Sequence, residues 1–274
     1  MPEGPEIRRA ADRVEAQLAG GPIDAAWFAF ADLRAHADSL IGRRIERVDT
    51  RGKAMLVRFD DGRVLYSHNQ LYGLWKLHPA GAPPETKRSL RVRLEVGDRA
   101  ASLYSASDVS MWRDATIEAH PFIARQGPDL LSETVTVGDI AERLASKRFS
   151  RRGLGGLLLD QGFVAGPGNY LRSEILFFAG LHHKRRPGDL SGDARQRLAR
   201  YILELTWQTY RSAGTTNAPE WVEKARRQGE APRQRRFAVF EREGLGCHRC
   251  ATPIERVSVG ARRLYFCPRC QPSP

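Results

Sequence analysis

The chain has 274 residues, 41% of them apolar, and carries 44 Lys and Arg against 32 Asp and Glu, a formal charge of +12. This composition supports a sizeable core, argues against disorder and makes two domains the natural expectation, while the basic excess calls for a polyanionic partner such as nucleic acid. No stretch is apolar for long enough to cross a bilayer, and the start, with Glu3 and Glu6, lacks the basic-then-apolar order of a signal peptide, so a cytoplasmic protein of bacterial type with no membrane partner is expected.

In chain order, Pro5 suits the first residue of a helix whose stripe is Ile7, Ala10, Ala11, Val14 and Leu18, with Gly20 and Gly21 as its stop. Runs at 25–30, 44–49, 54–59, 64–67, 90–96 and 100–104 read as strands, and Asp61-Gly62 and Gly97-Asp98 supply hairpin turns. These predict a two-layer β-sandwich behind a leading helix, over residues 1–125. His120-Pro121 and Gly127-Pro128 mark a linker, after which helices are predicted at about 136–145, 154–163, 169–179 and 191–212. A polar, basic stretch follows at 214–236, with Arg226, Arg227, Arg233, Arg235 and Arg236. The helical domain is therefore placed at 131–236 and a terminal module at 237–274, giving an α+β multidomain chain.

All the cysteines lie in that module, as Cys247-x2-Cys250 and Cys267-x2-Cys270. Each pair on a tight turn aims two thiolates at one point, and two such turns complete a closed tetrahedral site for one structural Zn2+. Between the pairs, 254–259 and 263–266 read as the strands of a zinc-ribbon hairpin with 260–262 at its basic tip.

The N-terminus is ambiguous on local grounds. Met1-Pro2 is a start from which Met1 is normally removed, leaving a secondary amine that titrates at roughly 7.7 to 8.0 and can form an iminium. Pro and acids near a helix start are equally ordinary capping features. Three segments reach further: the opening Met-Pro-Glu-Gly-Pro-Glu-Ile-Arg-Arg-Ala-Ala-Asp, Ser-His-Asn-Gln-Leu-Tyr-Gly at 67–73, and Leu-Leu-Leu-Asp-Gln-Gly-Phe-Val-Ala-Gly-Pro-Gly-Asn-Tyr-Leu-Arg at 157–172. Together with the cysteines, they resemble the formamidopyrimidine-DNA glycosylase and endonuclease VIII family, in its endonuclease VIII branch.

The resemblance implies a bifunctional DNA glycosylase and AP lyase of base excision repair, acting on damaged double-stranded DNA as a monomer. It implies that Pro2 attacks C1′ of the damaged nucleotide, that Glu3 is the acid that helps open the sugar, and that Lys53 assists β-elimination or contacts phosphate. Arg262 matches the arginine of δ-elimination and phosphate binding, with Arg263 as its neighbour. Gln70, Leu71 and Tyr72 form the wedge that fills the gap left by an extruded base. Asn169, opening a helix after Gly166-Pro167-Gly168, and Arg125 contact the DNA; the segment at 157–172 corresponds to a helix-two-turn-helix. Pro167 stands where a larger aliphatic residue is expected. Oxidised pyrimidines are the expected substrates, against two alternatives: an oxidised-purine glycosylase of the same family, or an inactive zinc-ribbon protein that only binds damaged DNA.

Overall fold

The computed structural model describes residues 2–274, so the expected removal of Met1 lies outside the described residues. Helix α1 (Gly4–Leu18) starts behind Glu3, which sits at the N-cap with extended backbone. Pro5 is the second helical residue rather than the first, a place where its missing N–H still breaks no bond. Ile7, Ala11, Val14 and Leu18, spaced at three and four, all turn inward.

The strands that follow are β1 (Ala25–Phe28), β2 (Ile45–Arg51), β3 (Ala54–Phe59), β4 (Arg63–His68), β5 (Leu74–Pro79), β6 (Leu90–Val96), β7 (Arg99–Tyr104) and β8 (Asp108–Arg113). Short helices α2 (Ala31–Arg34) and α3 (His36–Leu40) bridge β1 to β2. The strands form two antiparallel sheets, ordered β1-β6-β7-β5 and β2-β3-β4-β8. The core joins Phe28, Val92, Leu94 and Leu103 of one sheet to Val48, Val57, Phe59 and Leu65 of the other, with the α1 stripe beside them. On the other face of the second sheet, Ala54, Leu56, Val64 and Tyr66 are covered by Ile117 and Ile123. With both faces buried, β3 and β4 read as nearly continuous apolar runs.

Two strands escape the sequence reading, β5 and β8, and both lie at a sheet edge. β5 ends on Pro79 and β8 opens on Asp108. An edge strand leaves one side of its backbone unpaired, so it tolerates such residues and loses the pattern by which a central strand is recognised.

By their internal contacts, the residues divide into one unit up to Arg125 and another from Gln126 onward. The second unit holds α4 (Val137–Ala145), α5 (Leu154–Leu157), α6 (Asn169–Ala179), α7 (Gly192–Arg211), α8 (Pro219–Arg227), α9 (Pro232–Arg235), and strands β9 (Glu255–Val259) and β10 (Arg262–Phe266). The helix expected at 154–163 stops at Leu157. Beyond it, the Asp160 carboxylate accepts the Gly162 N–H at 2.8 Å, while the Arg143 guanidinium from α4 donates to the Gly162 and Phe163 carbonyls. These bonds satisfy a turning backbone without helix, and Leu158, Phe163, Val164 and Ala165 are buried all the same. The helical core continues into Leu264 and Phe266 of β10, so the hairpin is rooted in it. Among the described residues no helix is long and apolar enough to cross a membrane.

Candidate nucleic-acid interface and metal centre

Pro2 is half-buried directly ahead of α1. Glu3 behind it is 2% exposed, and its N–H is held by the Glu6 carboxylate at 2.9 Å. The helix is itself fastened to β2, since Glu15 Oε2 accepts the Val48 N–H at 2.5 Å. Residues 2 and 3 thus stand on a rigid element packed through its whole stripe, the setting a reactive group needs.

Lys53 lies in the two-residue turn between the paired ends Arg51 and Ala54. Gly52 has φ +58, which the first central position of a type II′ turn requires. Although it is a turn lysine, Lys53 is only 9% exposed. Its charge reaches His68 on the neighbouring strand: burial, and then Lys53, hold the imidazole below its ordinary pKa, with Asp108 acting in the opposite direction. Ala54, His68 and Asp108 stand in register across β3, β4 and β8. Beside them the Tyr66 hydroxyl donates to Asp108 at 3.2 Å and its ring stacks on His120 at 3.8 Å. Burial and the Asp108 carboxylate keep that phenol protonated far above its usual range.

The five residues between β4 and β5 project Gln70, Leu71 and Tyr72 outward, with Leu71 57% and Tyr72 69% exposed. Their loop is fixed at its base: the Gly73 N–H donates to Asn69 O at 2.7 Å, the Gln70 N–H to His68 Nδ1 at 3.0 Å, and Arg88 to Tyr72 O at 2.5 Å. The Gln70 amide oxygen accepts the Ser107 hydroxyl at 2.7 Å. Arg125 is exposed, its Nε donating to Pro121 O at 2.7 Å.

In the second unit, Asn169 is the first residue of α6, as the sequence suggests, and Gly168 is its N-cap. The turn before it is clasped by a residue the sequence did not single out. Gln161 accepts the Gly166 N–H at 3.1 Å and donates to Pro167 O at 2.9 Å, with Gly166 at φ +116. Arg262, by contrast, shifts by one place. The hairpin tip is Gly260-Ala261, at φ +59 and +58, and Arg262 opens β10 opposite Val259. A two-residue turn of this hand matches the twist of the strands it joins. Both Arg262 and Arg263 remain exposed.

What joins Asn169 to Arg262 is Arg172, a fully buried guanidinium on α6. It donates to Asn169 Oδ1 at 2.9 Å, to Gly155 O at 2.8 Å, and to the carbonyls of Arg262 and Arg263 at 3.0 and 3.1 Å. Nearby, the buried Glu174 carboxylate accepts the N–H groups of Ala238, Val239 and Phe240, each at 2.8–2.9 Å, and the Thr216 hydroxyl. Neither residue betrays itself in the sequence, because a charged residue within an apolar helix reads as its solvent face.

The Sγ atoms of Cys247, Cys250, Cys267 and Cys270 lie within 4.8 Å of one another. Three of the separations are 3.9, 3.4 and 3.5 Å, close to the roughly 3.8 Å edge of a tetrahedron with 2.3 Å zinc–sulfur bonds. Gln271 supports the second knuckle, accepting the Cys267 N–H at 2.9 Å and donating to Leu181 O at 3.0 Å. Four thiolates fit one structural Zn2+ and leave no coordination position for water.

Comparison with known proteins meets the chain along most of its length. The formamidopyrimidine-DNA glycosylase N-terminal domain matches residues 1–107, its H2TH domain residues 126–218, and the zinc finger found in FPG and IleRS residues 244–272. Endonuclease 8 of Pectobacterium atrosepticum is 47% identical over 99% of this chain and all of its own, and Endonuclease 8 of Klebsiella pneumoniae is 45% identical over the same shares. Among solved structures, Lactococcus lactis formamidopyrimidine-DNA glycosylase bound to DNA containing an AP site superimposes with a TM-score of 0.80 at 20% identity, covering 99% of this chain and all of that one. The same protein complexed with DNA containing an oxidised pyrimidine gives 0.81 at 22% identity, with the same coverage.

Proposed function

The chain belongs to the formamidopyrimidine-DNA glycosylase family, in its endonuclease VIII branch, and from this premise we propose that it excises oxidised pyrimidines from duplex DNA through the amine of Pro2. It is a bifunctional DNA glycosylase and AP lyase of base excision repair. With Met1 removed, the secondary amine of Pro2 attacks C1′ of the damaged nucleotide and the base departs with the glycosidic electron pair. Glu3 gives a proton to the ring oxygen as the sugar opens, leaving an iminium between Pro2 and C1′. Loss of a C2′ proton then expels the 3′ phosphate, and a second elimination expels the 5′ phosphate.

In this reading Lys53 assists the first elimination or grips phosphate, and Arg262 serves the second, where a planar guanidinium holds two phosphate oxygens at once. Leu71 and Tyr72 replace the stacking of the extruded nucleotide and Gln70 meets the orphaned partner base. Asn169 and Arg125 bind the backbone. A zinc held by the cysteines supplies no chemistry, only the rigidity of the hairpin. The working division is catalytic residues 1–125, helix-two-turn-helix residues 131–236 and zinc module 237–274, acting as a monomer in the cytoplasm.

The observation that carries the reading is the buried Glu3 on a fixed helix start, immediately beside Pro2. Borohydride trapping on a panel of thymine glycol, dihydrouracil, 8-oxoguanine and abasic duplexes tests it. A covalent complex with the pyrimidine lesions is expected, abolished when the Pro2 amine is blocked, whereas Glu3→Gln retains DNA binding and loses base excision. Preferential trapping on 8-oxoguanine would establish the purine alternative, and binding without any trapping the inactive one.

A further inference from the structure

We propose that the cations clustered before α5 and after α6 form an accessory track for duplex DNA, meeting backbone phosphates beyond those gripped by Asn169 and Arg262. It rests on the reading of the chain as a duplex-binding enzyme. Residues 126–274 carry 25 of the 44 Lys and Arg but only 15 of the 32 Asp and Glu, so most of the positive excess belongs to the second unit. A dense part of it is split between two stretches distant in sequence: Lys147, Arg148, Arg151 and Arg152 after α4, and Lys184, Arg185 and Arg186 after α6.

The fold brings these stretches together. The Gly188 N–H donates to Ser150 O at 2.8 Å, the Leu154 N–H to Arg185 O at 2.8 Å and the Gly155 N–H to His183 O at 2.9 Å, so the two run side by side in opposite directions. Arg185 is half-buried and the other six cations are exposed. Neither 147–155 nor 183–188 contains an acid, and among the described residues only Arg152 of the seven makes an ion pair, with Asp160. Elsewhere in this unit exposed arginines are neutralised in place, Arg226 and Arg227 by Glu223 and Arg233 by Glu241. Unpaired cations on adjoining stretches repel one another, a cost to the fold that a bound polyanion removes. Their field reaches the buried His182, where burial, then Lys184 and Arg185, hold the imidazole below its ordinary pKa.

Phosphate is the anion that suits this surface. Five of the seven cations are arginines, whose planar fork takes two phosphate oxygens at once, and a bonded backbone ladder presents them at fixed spacing. The surface is also joined to the groups proposed to grip DNA. Gly155 ends the ladder and its carbonyl accepts from Arg172 at 2.8 Å, while the same guanidinium holds Asn169 Oδ1 and the carbonyls of Arg262 and Arg263. A Cβ on Gly155 would stand 3.1 Å from the His183 side chain and 3.4 Å from Leu264 of β10, so ladder and hairpin are packed together. A duplex held at Asn169 and Arg262 therefore finds further cations on the same rigid surface.

The test measures equilibrium binding over a range of salt to duplexes of about 12 and about 30 base pairs, each with one central uncleavable abasic site. The unmodified protein is compared with the quadruple variant Lys147→Gln, Arg151→Gln, Lys184→Gln, Arg186→Gln. On the long duplex the variant's log–log salt slope should fall by about two to four and its affinity at ~0.1 M salt by at least about tenfold, while affinity for the short duplex changes by no more than about threefold. The charge-conserving swap Lys147→Arg, Arg151→Lys, Lys184→Arg, Arg186→Lys should keep the unmodified slope.

An unchanged slope in the quadruple variant overturns the proposal, as does an equal loss on both duplexes, which marks damage to the lesion site or the fold. Loss of the slope in the charge-conserving swap overturns it too. Polyglutamate binding that collapses in the quadruple variant while duplex binding stays intact would assign the surface to an acidic protein instead. If the quadruple variant does not fold, the pairs Lys147→Gln, Arg151→Gln and Lys184→Gln, Arg186→Gln should each remove about half of the slope change, and an unchanged slope in both overturns the proposal. Failure of the unmodified protein to trap any substrate with borohydride would sink the proposed function, a result distinguishable from any of these binding outcomes.

Discussion

Single residues differ sharply in what they contribute to stability and to chemistry. Leu71 and Tyr72 are large apolar side chains held out in water, so removing them takes away little that the fold uses. The double substitution Leu71→Ala, Tyr72→Ala should leave unfolding free energy within about 0.5 kcal/mol while greatly slowing excision from duplex DNA. Urea denaturation and single-turnover kinetics on one preparation check both halves. Arg172 is the opposite case, because its carbonyl and amide partners diverge as a planar fork does. Arg172→Lys keeps the charge but cannot span them, and should cost about 2 to 4 kcal/mol while weakening binding to an uncleavable abasic duplex. Unchanged affinity would show that the Asn169–Arg262 connection does not matter to DNA binding. Pro2 shows the limit of local reading: alone it is indistinguishable from a helix-start proline, and only the resemblance of the surrounding motifs suggested a nucleophile.

Among the elements, those with strong periodicity and clear punctuation were legible, and those defined by tertiary bonds were not. Helices α1, α4, α6 and α7 lie within a residue or so of expectation, apart from the one-place shift of Pro5. Edge strands β5 and β8 and the turns after Leu157 were missed, since they draw their stability from neighbours distant in sequence, and α2 and α3, of four and five residues, are too short to show a period. Two substitutions probe such tertiary ties. A Cβ at Gly73 would come within 2.5–2.6 Å of the Asn69 backbone, so Gly73→Ala should disturb the wedge loop, visible as slower insertion by the fluorescence of 2-aminopurine beside a thymine glycol. Glu174 accepts from a backbone N–H or two with each oxygen, so either orientation of Gln sets an NH2 against an N–H donor. Glu174→Gln should therefore destabilise the protein by about 2 kcal/mol or more, read as a lowered urea midpoint.

The whole molecule combines a formal charge of +12 with a zinc module whose core it cannot build alone. Leu264 and Phe266 of the hairpin lie in the helical core, and Ile254, Tyr265 and two of the cysteines pack with Phe177 of α6. Chelation should therefore release one zinc per chain and also lower the stability of the helices, measurable as a loss of helical circular dichroism at reduced temperature. DNA affinity should fall steeply with salt, because phosphate contacts release counterions in proportion to their number. A flat salt response would contradict a basic binding surface.

What the sequence determined by itself was whatever depends on spacing and residue type: the preference for a polyanionic partner, the Cys-x2-Cys pairs, the helix stripes, the central strands and, through the matching motifs, the family. The tertiary structure alone decided which lysine is buried, which wedge residues face water, and which charged groups are clamps rather than surface. Arg172 and Glu174 owe their roles to partners up to 91 residues away in the chain, as between Arg172 and Arg263. Burial and hydrogen bonding of a charged side chain are set by such distant contacts, and no local pattern encodes them.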